Sequence, residues 1–346
     1  MAPPIWRPAA DTVRRRLRSL AAERPVARRV MTSVARELEQ ALDDGPYRGE
    51  YFGEGRNPDD RAYLSGYERY DRDTSHAGVG AFLVWDTFPA RRTLDVGCAT
   101  GFVVEALREL GVDAEGVDVS GYAIEHATAG ARGHVRQADL RRGLPFADGW
   151  FDVVTAFETL EHLPPTDIPA ALAEIRRVTS HWALATIPSF GPNRNGPGGW
   201  FQVKVRDDRV AYYEGLGPTY EGPIPYDDLY RDARGDPIEG HLTVASFSWW
   251  EARFADAGLV RCDATERRLA PELARFGLTK YWNLYVLRTA SAPEPPPALR
   301  SDADRNRVLE QFGLADATAA PDDLKAVQEA LDVDRPSPPG GAEHGG

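Results

Sequence analysis

The stretch from Leu94 to Phe102, LDVGCATGF, sets a carboxylate two residues ahead of a glycine loop. An apolar, strand-like run stops at Gly97, and a helix-like pattern, VVEALRELG, follows Phe102. A glycine loop at a helix N-terminus lets a ligand approach bare backbone. The dinucleotide form of such a loop reads G-x-G-x-x-G, whereas here Ala99 stands between Gly97 and Gly101. Asp95 would repel a pyrophosphate resting on this loop, but it suits a ligand that carries an ammonium group. Asp118 closes the next apolar run, GVDVS, where a carboxylate can accept both hydroxyls of a ribose. Asp139 closes a third run, QADL, where an acid can accept a hydrogen bond from an adenine amine. Ammonium, ribose and adenine together describe S-adenosylmethionine better than NAD.

These residues need elements to carry them. From residue 92 onward RTLDVGC, AEGVDVS, HVRQADL, FDVVTAF and WALATIPSF read as buried strands, with helical segments at 102–110, 121–129 and 165–179 between them. That alternation predicts a parallel sheet with helices on both faces and a ligand beyond the carboxyl ends of the strands. SHAGVGAFLVWDTF (75–88) reads as an apolar helix on the core, and SFSWWEARFADAGLV (246–260) as another helix. Leu259–Glu266 and TKYWNLYVLRT (279–289) read as a closing antiparallel strand pair.

The ends and one interior stretch break this rhythm. Residues 1–45 form an arginine-rich helical extension, within which Met31 stands as an alternative start to Met1. Residues 47–73 are rich in tyrosine, glycine and charge and read as an ordered loop or lid. Residues 46–290 make up the catalytic domain, and 191–245 inside it form a lid insertion over the acceptor site. Beyond 290 the composition turns to proline, alanine and acid, which predicts a largely disordered tail over 291–346, with a short helix near 321–332.

Composition narrows the classes. At 346 residues the chain can bury a full core. A net charge of −12 argues against broad nucleic-acid or membrane-surface binding. Two cysteines, Cys98 and Cys262, make no disulfide framework, which fits a reducing cytoplasm. No apolar run reaches the ~20 residues that a membrane span needs. Three of the 41 basic residues are lysines, a bias typical of GC-rich bacterial genomes.

LDVGCATG, GVDVS, QADL and FDVVTAFETLEHL resemble, in order and spacing, the successive motifs of class I S-adenosylmethionine-dependent methyltransferases. The resemblance covers roughly residues 75–190. It implies an α/β, Rossmann-like sheet of seven mostly parallel strands, with the last strand reversed. It also implies that Gly97, Ala99 and Gly101 underlie the methionine moiety, that Asp118 holds the ribose and that Asp139 holds the adenine amine. Asp95, Val119, Leu140 and Phe157 complete the implied cofactor site. Ala99 departs from the family's usual glycine but keeps the loop small.

ETLEHL (158–163) resembles the segment that follows the fourth strand in ubiquinone-type O-methyltransferases and small-RNA 2′-O-methyltransferases. A Glu-x-x-Glu-His pattern there can hold a divalent metal, and Glu158, Glu161 and His162 match it. The metal-free reading, with His162 as general base, stands ahead, because two carboxylates and one histidine leave a coordination shell incomplete. His241, in GHLT, falls where family members often face the acceptor. The aromatic residues of the lid, Trp200, Phe201, Tyr212, Tyr213, Tyr220, Tyr226 and Tyr230, with Trp249 and Trp250 after it, suit a small-molecule or glycan hydroxyl acceptor. Two other readings stay open: a binding protein that holds the cofactor as a partner subunit or sensor, and a nicotinamide-dependent oxidoreductase.

Overall fold

The computed structural model describes residues 70–73, 75–199, 205–216, 219–231, 240–277 and 283–332. The expected arginine-rich extension (1–45), Trp200 and Phe201 lie outside the described residues, as does all but the end of 47–73.

The strands are β1 (Arg92–Val96), β2 (Asp113–Asp118), β3 (Val135–Gln137), β4 (Phe151–Phe157), β5 (Thr179–Thr186), β6 (Ser189–Phe190), β7 (Ala245–Ser246), β8 (Leu259–Arg261) and β9 (Leu284–Thr289). Seven of them make one sheet in the order β3-β2-β1-β4-β5-β9-β8. Neighbours from β3 to β5 run parallel, and β9 runs antiparallel to both β5 and β8. β6 and β7 pair separately, as a parallel two-stranded ladder. This is the α/β, seven-stranded, mostly parallel arrangement expected from the sequence.

The helices are α1 (Ala77–Thr87), α2 (Phe102–Glu109), α3 (Gly121–Glu125), α4 (Ile168–Val178), α5 (Asp207–Leu216), α6 (Phe247–Asp256), α7 (Asp263–Arg275), α8 (Asp302–Gln311) and α9 (Pro321–Asp332). Because side chains alternate across a strand, each strand feeds two cores. Val153, Leu184 and Val286 face Phe82, Leu107, Leu269 and Val308 on one side. Val154, Ala183 and Leu287 face Leu172, Ile175, Trp250 and Phe254 on the other. Carboxyl ends of β1, β2 and β4 therefore share one rim, held from both faces.

Two expectations are corrected. The strand that begins at Leu259 stops at Arg261, and α7 takes over where Asp263 and Glu266 occupy a first helical turn that favours acids. Beyond 290 the short helix near 321–332 forms as expected, as α9, but the stretch before it is not structureless: α8 forms there. Val308 and Leu309 are buried against the α1 side of the core, and Val327 packs on Ala270 and Ala274 of α7. Arg300 Nε donates to the Trp85 carbonyl at 3.0 Å, and its guanidinium lies 4.4 Å from the Trp85 ring centroid. Residues 333–346 lie outside the described part. No helix among the described residues is long and apolar enough to cross a membrane.

Candidate active site

The β1–α2 loop turns by left-handed backbone at three positions: Gly97 (φ 74°), Ala99 (φ 48°) and Gly101 (φ 85°). Glycine adopts that region at little cost, whereas alanine pays about 1–2 kcal/mol. Asp118 offsets the Ala99 strain. Its Oδ2 accepts from the Ala99 amide at 2.8 Å, and its Oδ1 accepts from the Ser120 amide at 2.8 Å. At Gly101 a Cβ would overlap Ala131, so glycine is needed there for close packing as well as for conformation.

Asp95 sits beneath this loop, 3% exposed, and its Oδ1 accepts from Thr155 Oγ1 at 2.6 Å. Burial pushes its carboxyl up to about 7; the Thr155 bond opposes that rise and the nearby Asp118 charge adds to it. Asp139 is engaged differently from the expectation. Its Oδ1 accepts from Arg141 Nε at 2.8 Å and from the Arg141 amide at 3.0 Å, and its Oδ2 accepts from Arg141 Nη2 at 2.8 Å. Arg142 Nε adds an ion pair at 3.3 Å. Burial works against its ionisation, but the Arg141 bonds and both arginine charges outweigh it, and the carboxyl lies below its ordinary range. An adenine amine at Asp139 would compete with these arginines. Leu140 is buried, whereas Val119 and Phe157 are half-buried beside the rim.

β4 delivers the second half of the site. Glu158 follows Phe157 with φ 47°, and its amide is fixed by the Thr186 carbonyl at 3.0 Å. A 3₁₀ turn over Leu160–His162 comes next. Leu160 and Glu161 point inward and are buried, while His162 is half-buried. The far end of the lid is stapled onto this turn. Leu242 and Thr243 amides both donate to the Glu161 carbonyl, at 2.8 and 2.9 Å, and Thr243 Oγ1 donates to the Leu163 carbonyl at 2.6 Å.

His162 Nδ1 lies 3.2 Å from the Gly240 carbonyl. A carbonyl only accepts, so in the neutral ring Nδ1 carries the proton and Nε2 keeps the lone pair. The rings of His162 and His241 meet edge to face, with centroids 5.1 Å apart. His241 Nε2 lies 3.9 Å from Glu161 Oε1. Glu161, His162 and His241 each offer one ligand atom within 4.8 Å of the others. The structure thus groups His241, rather than Glu158, with Glu161 and His162. One carboxylate and two imidazoles are a ligand set of the kind that holds a divalent cation.

Sequence reasoning placed the two histidines in the site but not together, because the contact spans the whole lid. The lid aromatics divide. Tyr213 is buried in a separate small core with Phe190, Val205, Ile224, Leu229 and Val244, and its hydroxyl donates to Asp228 at 2.7 Å. Tyr220 stacks on Phe190, Trp250 lies in the main core, and Trp249 packs at its margin. Tyr212, Tyr226 and Tyr230 are exposed. Packing therefore accounts for Tyr213, Tyr220 and Trp250.

Residues 94–182 match the family model described as methyltransferase domain. The chain carries a class I S-adenosylmethionine-dependent methyltransferase domain. The chain is 39% identical over 93 residues to a ubiquinone biosynthesis O-methyltransferase of Methylococcus capsulatus, covering 25% of this chain and 39% of the relative. It is 36% identical over 138 residues to the protein of that name from Burkholderia multivorans, covering 38% of this chain and 51% of the relative. The similarity thus spans about half the length of these relatives, or less. Among solved structures, it is similar to the CcbJ methyltransferase of Streptomyces caelestis at 15% identity and a TM-score of 0.41, over 70% of this chain and 96% of that one. The loop suits the cofactor of this family: Asp118 stands on the rim beside it, and Asp95 places a buried carboxyl below.

Proposed function

We propose that the protein transfers a methyl group from S-adenosylmethionine to a hydroxyl of a small-molecule acceptor. The observation that carries this reading is the group Glu161–His162–His241, whose first two members stand on a turn opened by Thr159, the residue that lies against Gly97 of the glycine loop. The names of the matched relatives, O-methyltransferases of ubiquinone biosynthesis, favour an oxygen acceptor; a sugar or glycan hydroxyl shares the same chemistry.

The sulfonium is already activated, so the protein has to orient the acceptor, exclude water and take a proton. The glycine loop and Asp118 orient the cofactor's methionine and ribose. The buried Glu161 and the lid segment Gly240–Thr243 shield the turn from water. His162 presents Nε2 as the proton acceptor, its ring held by the Gly240 carbonyl. Glu161, His162 and His241 would also hold a divalent ion such as Mg²⁺, Mn²⁺ or Zn²⁺, which supplies a Lewis acid that acidifies a bound hydroxyl. His241 supplies the ligand that Glu158, Glu161 and His162 lacked as a set, and this brings the metal reading level with the free base.

Isothermal titration with S-adenosylhomocysteine and NADH tests the cofactor. Binding of the first alone supports the proposal, and binding of NADH alone overturns it in favour of an oxidoreductase. Turnover on a panel of catechol-type and sugar hydroxyls, with and without EDTA, tests the chemistry. Tight cofactor binding without turnover on any acceptor would mark a cofactor-holding partner or sensor instead.

A further inference from the structure

Thr159 opens the 3₁₀ turn that carries Glu161 and His162, and the His162 amide donates to its carbonyl at 3.2 Å. A threonine at such a position usually accepts a hydrogen bond from its own turn with its side chain. Here it makes no such capping bond. Its Oγ1 reaches back instead, 3.1 Å from the carbonyl oxygen of Val96 and 2.9 Å from that of Phe157. Val96 is the last residue of β1, and Gly97 follows it. The same side chain fills the space over Gly97, because a Cβ placed there would overlap Thr159 Oγ1 and Cγ2. Gly97 is therefore constrained twice, by its left-handed φ of 74° and by the threonine above it.

We infer that Thr159 is a positioning residue that couples the glycine loop to the Glu161–His162 turn. One hydroxyl ties the turn to the end of β1 by a three-centre bond, and one methyl rests on the loop's first glycine. A ligand that orders the loop then orders the turn, and the separation between cofactor and proton acceptor is fixed. Misplacement by about 1 Å at such a site can cost on the order of 10² in rate. This rests on the reading of the loop as the cofactor's seat.

The test uses the full chain and S-adenosylhomocysteine as the probe. Hydrogen exchange is followed at the amides of residues 160–163 with and without the ligand, in wild type, Thr159→Val and Thr159→Ser. Ligand should slow exchange there roughly tenfold in wild type and in the serine variant, which keeps the hydroxyl. In the valine variant, which keeps the shape, the slowing should fall below about twofold while calorimetric affinity stays within about threefold. Retained protection in Thr159→Val, or lost protection in Thr159→Ser, would overturn the inference. A melting cycle without ligand covers the case in which Thr159→Val does not fold. Gly97→Ala should melt far below wild type, and Gly97→Ala with Thr159→Ala should melt no lower than Gly97→Ala alone. Strictly additive losses would show that the two residues are not coupled and would overturn the link. Failure of wild type to bind S-adenosylhomocysteine would instead refute the cofactor reading, and the melting cycle would still decide the contact.

Discussion

Asp118 holds Ala99 in its left-handed conformation: the carboxylate lies 2.8 Å from the Ala99 amide nitrogen, 19 residues back in the chain. One acid therefore shapes the loop, and on the proposed reading it also holds the ribose. Asp118→Ala removes both, and affinity for S-adenosylhomocysteine should fall by ~1–3 kcal/mol. Asp118→Asn keeps an acceptor oxygen and should fall less. Asp139→Ala should have the smaller effect of the two alanine variants, because Arg141 and Arg142 already occupy that carboxylate. Calorimetry ranks the three, and an Asp139→Ala loss larger than that of Asp118→Ala would reverse the assignment.

Asp95 gives a pH dependence of defined sign. Its folded carboxyl titrates at about 7, above the ordinary value of 3.8, with burial as the main cause. The fold favours the protonated form, so this contribution to stability is complete below about pH 4 and is lost as pH rises through about 7. Denaturant titrations at pH 5 and pH 8 should show that loss in wild type and not in Asp95→Asn. A ligand ammonium selects the ionised form, so cofactor affinity should rise roughly tenfold from pH 6 to pH 8. A flat affinity profile across that range would remove Asp95 from the binding site.

The Glu161–His162–His241 group separates metal from base. If a divalent ion is held there, EDTA should abolish turnover, added Mn²⁺ or Mg²⁺ should restore it, and His241→Ala should match His162→Ala. If His162 acts alone, chelator should have no effect and His162→Ala should cost roughly 10²–10⁴ in rate, with His241→Ala milder. Cofactor affinity should stay unchanged in both variants, which calorimetry checks.

A chain ending at Ala290 loses α8 and α9. It uncovers the α1 side of the core where Val308 and Leu309 pack, and it removes the pairs of Arg305 with Asp86 (3.3 Å) and Glu272 (2.6 Å). Two buried aliphatic side chains alone contribute about 3–6 kcal/mol. The melting temperature should drop by many degrees, and scanning calorimetry of the shortened chain tests it.

The parts of the site legible in the sequence are those that backbone chemistry dictates locally. Gly97 follows the end of β1 and Gly101 opens α2, both in left-handed backbone, while Asp95 and Asp118 stand at strand ends. The meeting of His162 with His241 is a different matter, since it depends on the path of the lid between them. The helix α8 is illegible for a related reason. SDADRNRVLEQ buries only Val308 and Leu309, too few for a clear helical period, and its docking relies on Arg300 against Trp85 and Arg305 against Asp86. Arginine reads as a solvated residue in a sequence, yet its stem and planar head cover aromatic surface in the fold. Tyrosine works in the opposite direction, because Tyr213 and Tyr220 build the lid's own core.

Arg300 and Trp85 are separated by 215 positions along the chain. A ribosome delivers residues in order, so α1 and the sheet's first strands emerge long before the helix that covers them. Throughout that interval Phe82 and Trp85 belong to an unsealed face, and closure of so long a loop is slow compared with local helix formation. Nascent chains stalled before Leu309 would carry sticky apolar surface, the condition in which chaperone capture and aggregation compete with folding. The cover of the α1 face is thus supplied late, by a segment whose composition looks dispensable.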